Sequence, residues 1–193
     1  RRLHDPWWRE VILLEVGHLS DVRHFGRRAR KLTSDLLHAI RHAGSPLEEV
    51  LKRDLLLASR CLCDAGKLGV EDELRRSILD DLIELWRATP YQPQRKEVVE
   101  VFAYAMPTVD GARIRAELIA RSQDAEADVR EAAAFALEEI GSEAATPEVL
   151  ERIIALSQDA EADVRRAAAV ALESIGSAAA TPEVVERMIV LSQ

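Results

Sequence analysis

Residues 122–156 and 157–191 are one 35-residue sequence written twice. SQDAEADVREAAAFALEEIGSEAATPEVLERIIAL is followed directly by SQDAEADVRRAAAVALESIGSAAATPEVVERMIVL, and the copies differ at seven positions. Ser122, Ser157 and Ser192 mark the register, and Ser192-Gln193 opens a third copy, so the array reads as truncated at its C-terminus. A period in this range marks a stacked array, in which each unit buries its apolar face against the next. One unit cannot close a core by itself, so the repeat dictates a stack of like units.

Each copy reads as two helices. Thr146-Pro147-Glu148 is a helix start, with a capping hydroxyl, proline in the first turn and an early carboxylate. Val149, Leu150, Ile153, Ile154 and Leu156 follow as an apolar stripe at helical spacing. Thr181-Pro182-Glu183 repeats the start ahead of Val184, Val185, Met188, Ile189 and Leu191. One period upstream, Ile114, Leu118, Ile119 and Ala120 match Val149, Ile153, Ile154 and Ala155, so the array begins by about Gly111. The other helix starts in the acidic segment between Asp124 and Asp128, and between Asp159 and Asp163 in the next copy. Val129, Ala132, Ala133, Ala136, Leu137 and Ile140 lie on one side of it, and Gly141 supplies its C-terminal stop. Nothing here alternates with a period of two, so no strand is expected.

Residues 1–110 are also helical in pattern without being copies. Asp5-Pro6-Trp7-Trp8 opens a helix reaching Leu19, and a second spans about 22–43 before Gly44. Ser45-Pro46-Leu47-Glu48 opens a third, running through Leu51, Leu55, Leu56, Ala58 and Cys61 to Gly66. A fourth covers 70–88 and stops at Thr89-Pro90, and a fifth covers 94–106 before Pro107. Short Gly- and Pro-marked connections imply antiparallel neighbours. The expected fold is all-α: a right-handed alpha-alpha superhelix of about five helical pairs, irregular over 1–110 and regular over 111–193.

Composition narrows the function. The chain is 48% hydrophobic but only 4% aromatic, so its apolar residues are mainly the small and straight-chain types that favour close-packed helices. No apolar run reaches the roughly 18 residues of a membrane span, and Arg1-Arg2-Leu3-His4-Asp5 is not a secretory signal. Cys61 and Cys63 point to different faces of one helix and are poorly placed to bridge, which fits a reducing, cytoplasmic setting. Residues 122–193 carry fifteen carboxylates against five arginines, a balance of −10. The whole chain stands at −8, so the first 121 residues sum to +2. An acidic array cannot form the positive track that phosphate backbones need, which argues against a nucleic-acid partner there.

Catalytic and metal-binding patterns are weak. His38 and His42 share a helix face, but Ala39-Ile40-Arg41 between them lacks the glutamate of a zinc protease, and joining them with Cys61 and Cys63 requires tertiary proximity. Arg23, Arg27, Arg28, Arg30 and Lys31 form a basic cluster with Phe25; it suits an anionic ligand or acidic partner, or is a solvated or acid-paired helix face. Asp80-Asp81 and Glu48-Glu49 are adjacent pairs that diverge on a helix, a poor acid/base arrangement. Ser34, Ser45 and Ser77 lack a nucleophile context. Trp7-Trp8 suits burial in the first helical pair or an anchor for another domain. No catalytic residue, metal site or cofactor is assigned.

Glu161 to Gly176, EADVRRAAAVALESIG, resembles the second helix of HEAT-like repeats. Asp124 stands six residues before Arg130, and Asp159 six before Arg165; in that family such residues form a hydrogen-bonded ladder between adjacent repeats. The 35-residue period is shorter than the usual HEAT unit and implies the compact bacterial variety. The Trp, Tyr and Thr-Pro-Leu-His marks of tetratricopeptide and ankyrin repeats are missing. Three of the seven differences between copies, Glu131/Arg166, Phe135/Val170 and Glu139/Ser174, fall on one face of this helix, away from its apolar stripe. Second helices line the contact face of such solenoids. Glu131, Phe135, Glu139, Arg166, Val170 and Ser174 are therefore the candidate partner-binding residues, with drift on a solvated face as the alternative.

Two stretches of the first half carry a further resemblance. Trp8-Arg9-Glu10-Val11-Ile12-Leu13-Leu14 with Gly17-His18-Leu19, and Arg53-Asp54-Leu55-Leu56-Leu57-Ala58 with Cys61-Leu62-Cys63-Asp64, are similar to the helical segment of bacterial NACHT-type STAND NTPases. In those proteins it follows the nucleotide-binding part, and HEAT-like repeats follow it. The resemblance implies a ligand-sensing, autoinhibitory part of a signalling NTPase, with antiphage defence among the family's roles. Its partner would be a protein ligand or an NTPase domain of the same chain. No G-x-x-x-x-G-K-[ST] loop occurs in these residues, so no NTP chemistry is assigned to them. A free-standing HEAT-like adaptor or lyase-related scaffold is the alternative.

Overall fold

The computed structural model describes residues 3–21, 27–66 and 68–176. Among them are ten α-helices, one 3₁₀ turn and no strand, so the chain has the all-α class expected. They are α1 (Pro6–Leu19), α2 (Arg27–Arg41), α3 (Glu48–Leu51), α4 (Arg53–Asp64), α5 (Asp72–Ala88), α6 (Gln92–Ala105), α7 (Gly111–Arg121), α8 (Ala127–Ile140), α9 (Pro147–Leu156) and α10 (Ala162–Gly176). The chain divides into two compact units, Arg1–Asp110 and Gly111–Gln193.

The first unit is organised around α4, which packs against α1, α2, α5 and α6. A helix touched from several sides keeps little solvated surface, which explains why Asp54 to Ser59, Cys61 and Leu62 are all buried. Val16 from α1, Leu37 and Ile40 from α2 and Ile78 from α5 close on Leu57, Ala58, Cys61 and Leu62. Trp86 and Phe102 extend the packing between α5 and α6, their ring centroids 6.0 Å apart. Full burial of each such side chain contributes roughly 1.5–3 kcal/mol.

The single helix expected from Ser45 to Gly66 is two helices. Lys52 breaks it with φ of 51°, and Leu47 sits at φ of 62°, both in the left-handed region that non-glycine residues rarely adopt. Such a residue costs on the order of 1 kcal/mol. Side-chain hydrogen bonds offset that strain. The Glu48 carboxylate accepts the N–H of Asp54 at 2.9 Å and of Leu55 at 3.4 Å, so it caps α4 from within the preceding turn. Ser45, expected as the cap, bonds the Asp54 side chain instead. The second helix is seen from Arg27 onward, and residues 22–26 lie outside the described part.

The second unit pairs α7 with α8 and α9 with α10, and α8 packs along α10. Thr146 accepts the N–H of Val149 at 3.4 Å and Pro147 opens α9, as the start signal requires. Gly141 ends α8 at φ of 63°, a conformation open to glycine. Ile114, Leu118, Leu137, Val149, Ile153 and Ile175 are fully buried between the layers. Ala133, Ala134, Ala136, Ala168 and Ala171 are fully buried too, small side chains that let neighbouring helices approach closely. The start at Thr181-Pro182-Glu183 and the stripe from Val184 to Leu191 lie outside the described residues.

Candidate interaction surface

The second helices α8 and α10 are held at fixed spacing by side chains that the repeat preserves. Nε and Nη2 of Arg130 donate to the two carboxylate oxygens of Asp159, in the next copy, at 2.7 and 2.8 Å. Its Nη1 donates to the carbonyls of Asp124 and Ala125 in its own copy, both at 2.9 Å. A guanidinium is suited to this because its donors lie in one plane and form a rigid fork. The Arg130 hydrogen bonds carry the Asp159 carboxyl down to about 2, with the Glu161 N–H adding to the effect. Arg165 repeats the inner half of the arrangement, donating to the carbonyls of Asp159 and Ala160 at 2.7 Å each. Arg152 adds a second tie, from α9 to the Oγ and carbonyl of buried Ser122 at 3.0 and 2.9 Å.

These ties leave one face of each second helix outside the packing. Glu131 and Glu139 on α8 are exposed and Phe135 is half-buried; Arg166, Val170 and Ser174 on α10 are exposed. Val170 shows 40% of its surface. Among the described residues Arg166 pairs locally, with Asp163 one turn earlier. Ser174 differs from the other five, because its hydroxyl donates to the Glu138 carbonyl at 3.0 Å and so contacts the neighbouring helix. Beneath the exposed row, burial and then the adjacent Glu139 raise the Glu138 carboxyl above its ordinary value.

A family model described as HEAT repeats matches residues 114–189. These residues are a HEAT-like repeat region. No curated protein and no solved structure matches the chain. HEAT repeats serve as stacked scaffolds for protein interaction, and the HEAT region here has the bonded seams and open helical faces that such a scaffold uses. No helix among the described residues is long and apolar enough to cross a membrane.

The chemical candidates resolve differently. His38 and His42 stack with ring centroids 4.3 Å apart, and Nδ1 of His42 lies 2.9 Å from the His38 carbonyl. Both histidines are exposed whereas Cys61 is buried in the core, and among the described residues no group of three or more His, Cys, Asp or Glu is placed to hold a metal. Burial raises both thiols to about 12. Within the basic cluster Arg30 pairs with Asp72 at 3.0 Å and Lys31 with Asp35 at 3.4 Å; Arg23, Phe25 and the Arg27 side chain lie outside the described residues. Asp81 pairs with Arg41, which also donates to the Ser77 hydroxyl at 2.9 Å. Ser34 accepts the Glu71 N–H at 3.0 Å, just ahead of α5. Trp7 is 64% exposed and meets Trp8 edge-on at 4.9 Å.

One constellation has no signature in the sequence. Asp54 is fully buried, and Ser45 donates to it through both its backbone N–H, at 2.9 Å, and its hydroxyl, at 2.6 Å. His4 Nε2 lies 2.7 Å from the same carboxylate and 2.9 Å from the Ser45 hydroxyl. Burial would raise the Asp54 carboxyl, but the Ser45 and His4 donors outweigh it and carry it below the ordinary carboxylate value. In a hydrolase triad the carboxylate and the hydroxyl face opposite nitrogens of the imidazole. Here both face Nε2, so the three residues make a clasp that ties the segment before α1 to the start of α4.

Proposed function

We propose that this chain is the ligand-sensing, autoinhibitory helical part of a STAND-type signalling NTPase acting in antiphage defence. In this reading its HEAT region meets a protein partner through Glu131, Phe135, Glu139, Arg166, Val170 and Ser174. The carrying observation is where the two copies agree and disagree. Every residue of the Arg130–Asp159 and Arg152–Ser122 ties is repeated in both copies. Three of the seven differences fall on the exposed row of α8 and α10, one of them a reversal of charge. Stacking holds the first set constant, and recognition of a partner is a reason for the second to diverge. The parentage is supported by the order of segments, with Trp8–Leu19 and Arg53–Asp64 ahead of the repeats, which resembles the order in NACHT-type proteins.

The test uses the chain as bait in lysates of its native host, with and without phage infection, beside a Phe135→Ala/Arg166→Glu version. Both changes sit on exposed or half-buried positions outside the core, so folding should be unchanged. A protein captured by the first bait and lost by the second supports the surface. Identical capture by both, or none, refutes it. A phosphate-binding loop encoded upstream of Arg1 would support the NTPase parentage independently, and its absence from the native gene would favour a free-standing adaptor.

A further inference from the structure

We propose that the first unit binds a small phosphate-bearing, hydroxyl-rich ligand of the sugar-phosphate class in a cavity walled by α1, α4 and α6. The cavity holds about 340 Å³. Arg9 enters it from α1, and Arg53 and Arg60 enter from α4, where a spacing of seven residues puts both on one face. Glu97 and Glu100 enter from α6. Arg60 is tied to Glu100 at 3.2 Å, whereas no ion pair or hydrogen bond holds the side chain of Arg9 or Arg53 among the described residues.

Two guanidiniums without a partner among the described residues therefore line a recess beside a third that is half-buried. Burial first, and the charge of Arg9 second, lower the proton affinity of Arg60, while Glu100 and Glu97 oppose the shift. A phosphate seated among the guanidiniums supplies negative charge, and its oxygens match their planar fork of donors. The carboxylates limit which anion fits. Glu97 and Glu100 repel a polyphosphate, yet they accept hydrogen bonds from the hydroxyl groups of a singly phosphorylated polyol. No Phe, Tyr or Trp lines the wall, and the one imidazole there, His4, is engaged by Asp54 and Ser45, so a nucleobase lacks a free stacking platform. The volume lies at the small end of the roughly 300–1,000 Å³ usual for ligand pockets, which suits a single phosphorylated sugar better than a dinucleotide.

Calorimetric titration of the intact chain tests this, with glucose 6-phosphate, glucose, inorganic phosphate and AMP as probes. Glucose 6-phosphate should bind, glucose should not, and inorganic phosphate and AMP should bind more weakly than the sugar phosphate. Arg9→Gln and Arg53→Gln should each weaken glucose 6-phosphate binding roughly tenfold or more, the value of a hydrogen bond to a charged group. Both should leave circular dichroism and tryptophan fluorescence unchanged, since neither side chain holds the fold together. Glu97→Gln should shrink the preference for glucose 6-phosphate over inorganic phosphate. Absence of glucose 6-phosphate binding at millimolar concentration, or equal binding by the arginine variants, overturns the site. Inorganic phosphate or AMP binding as tightly as the sugar phosphate overturns the ligand class.

Discussion

Asp54→Ala should destabilise the first unit by about 3 kcal/mol. The wild-type carboxylate is fully buried and accepts three hydrogen bonds, two from Ser45 and one from His4. Each bond to a charged acceptor contributes roughly 1.5–3 kcal/mol, and desolvation of the carboxylate opposes their sum by several kcal/mol. Truncation removes both terms. His4 keeps 21% of its side chain exposed and can turn to water. The Ser45 N–H is part-buried, and losing its charged acceptor costs roughly 1–3 kcal/mol. Asp54→Asn should cost about 2 kcal/mol, because its amide nitrogen sets a donor against a donor on one side of the clasp. The sequence supplies a clean probe: Trp7, Trp8 and Trp86 all lie in the first unit, so tryptophan fluorescence reports that unit alone. With a urea m-value of about 1.5 kcal/mol per molar, the fluorescence midpoint of Asp54→Ala should fall by about 2 M. The pH dependence has a fixed sign. Asp54 titrates below its ordinary 3.8 when folded, so its contribution is present above that value and is lost as pH falls through the lower folded value. The gap between wild type and variant should therefore narrow in acid. A midpoint shift under about 0.5 M at neutral pH, less than 1 kcal/mol at that m-value, would refute the reasoning, as would a gap that widens in acid.

Three further outcomes follow from the second unit and the core. The Asp159 carboxyl is held at about 2 by Arg130, so its contribution to the HEAT region should be full above pH 3.8 and disappear between there and about 2. Asp159→Asn should flatten that acid dependence of the far-ultraviolet transition, and an unaltered profile would contradict the assigned role. Leu137 is fully buried, so Leu137→Asp places an unpaired charge inside the stack. Its repeat region should lose cooperative thermal unfolding, and an unshifted curve would count against the packing described. Cys61 and Cys63, both raised to about 12, should resist a thiol reagent at pH 8 until the chain is denatured. Labelling of the native protein at the rate of a free cysteine would show that burial does not control them.

The repeat region was the most legible part of the sequence because each of its structural demands is met by a residue type at a repeated position. Thr146-Pro147, Gly141 and the stripe from Val149 to Leu156 have local meanings that the stack preserves. Ala134 was missed because it lies outside the apolar stripe of one helix; its burial comes from packing beyond the local pattern. The first half was legible as helices and obscure in its polar links. Ser45 reads locally as a cap, yet its bonds go to Asp54 nine residues away and to His4, forty-one residues away. Nothing in the spacing of Arg9, Arg53 and Glu97 announces that three helices bring them to one cavity. Such sites arise from tertiary proximity, which periodicity does not encode.

Stacking also explains why constant and variable positions separate along one helix. Arg130 binds carbonyls of its own copy and the carboxylate of the next. A change to either Arg130 or Asp159 would strand a charge in the seam, so both types recur in each copy. Glu131 is the next residue, turned about 100° around the axis into solvent, and in the following copy that position is Arg166. Among the described residues the ties between copies run through Arg130–Asp159 and Arg152–Ser122 and not through Glu131, so its sign can change without breaking them. An array built this way can change what it binds without changing how it stacks. Under the interface proposed above, specificity would reside in the exposed row on each second helix, not in the residues that the repeats hold in common.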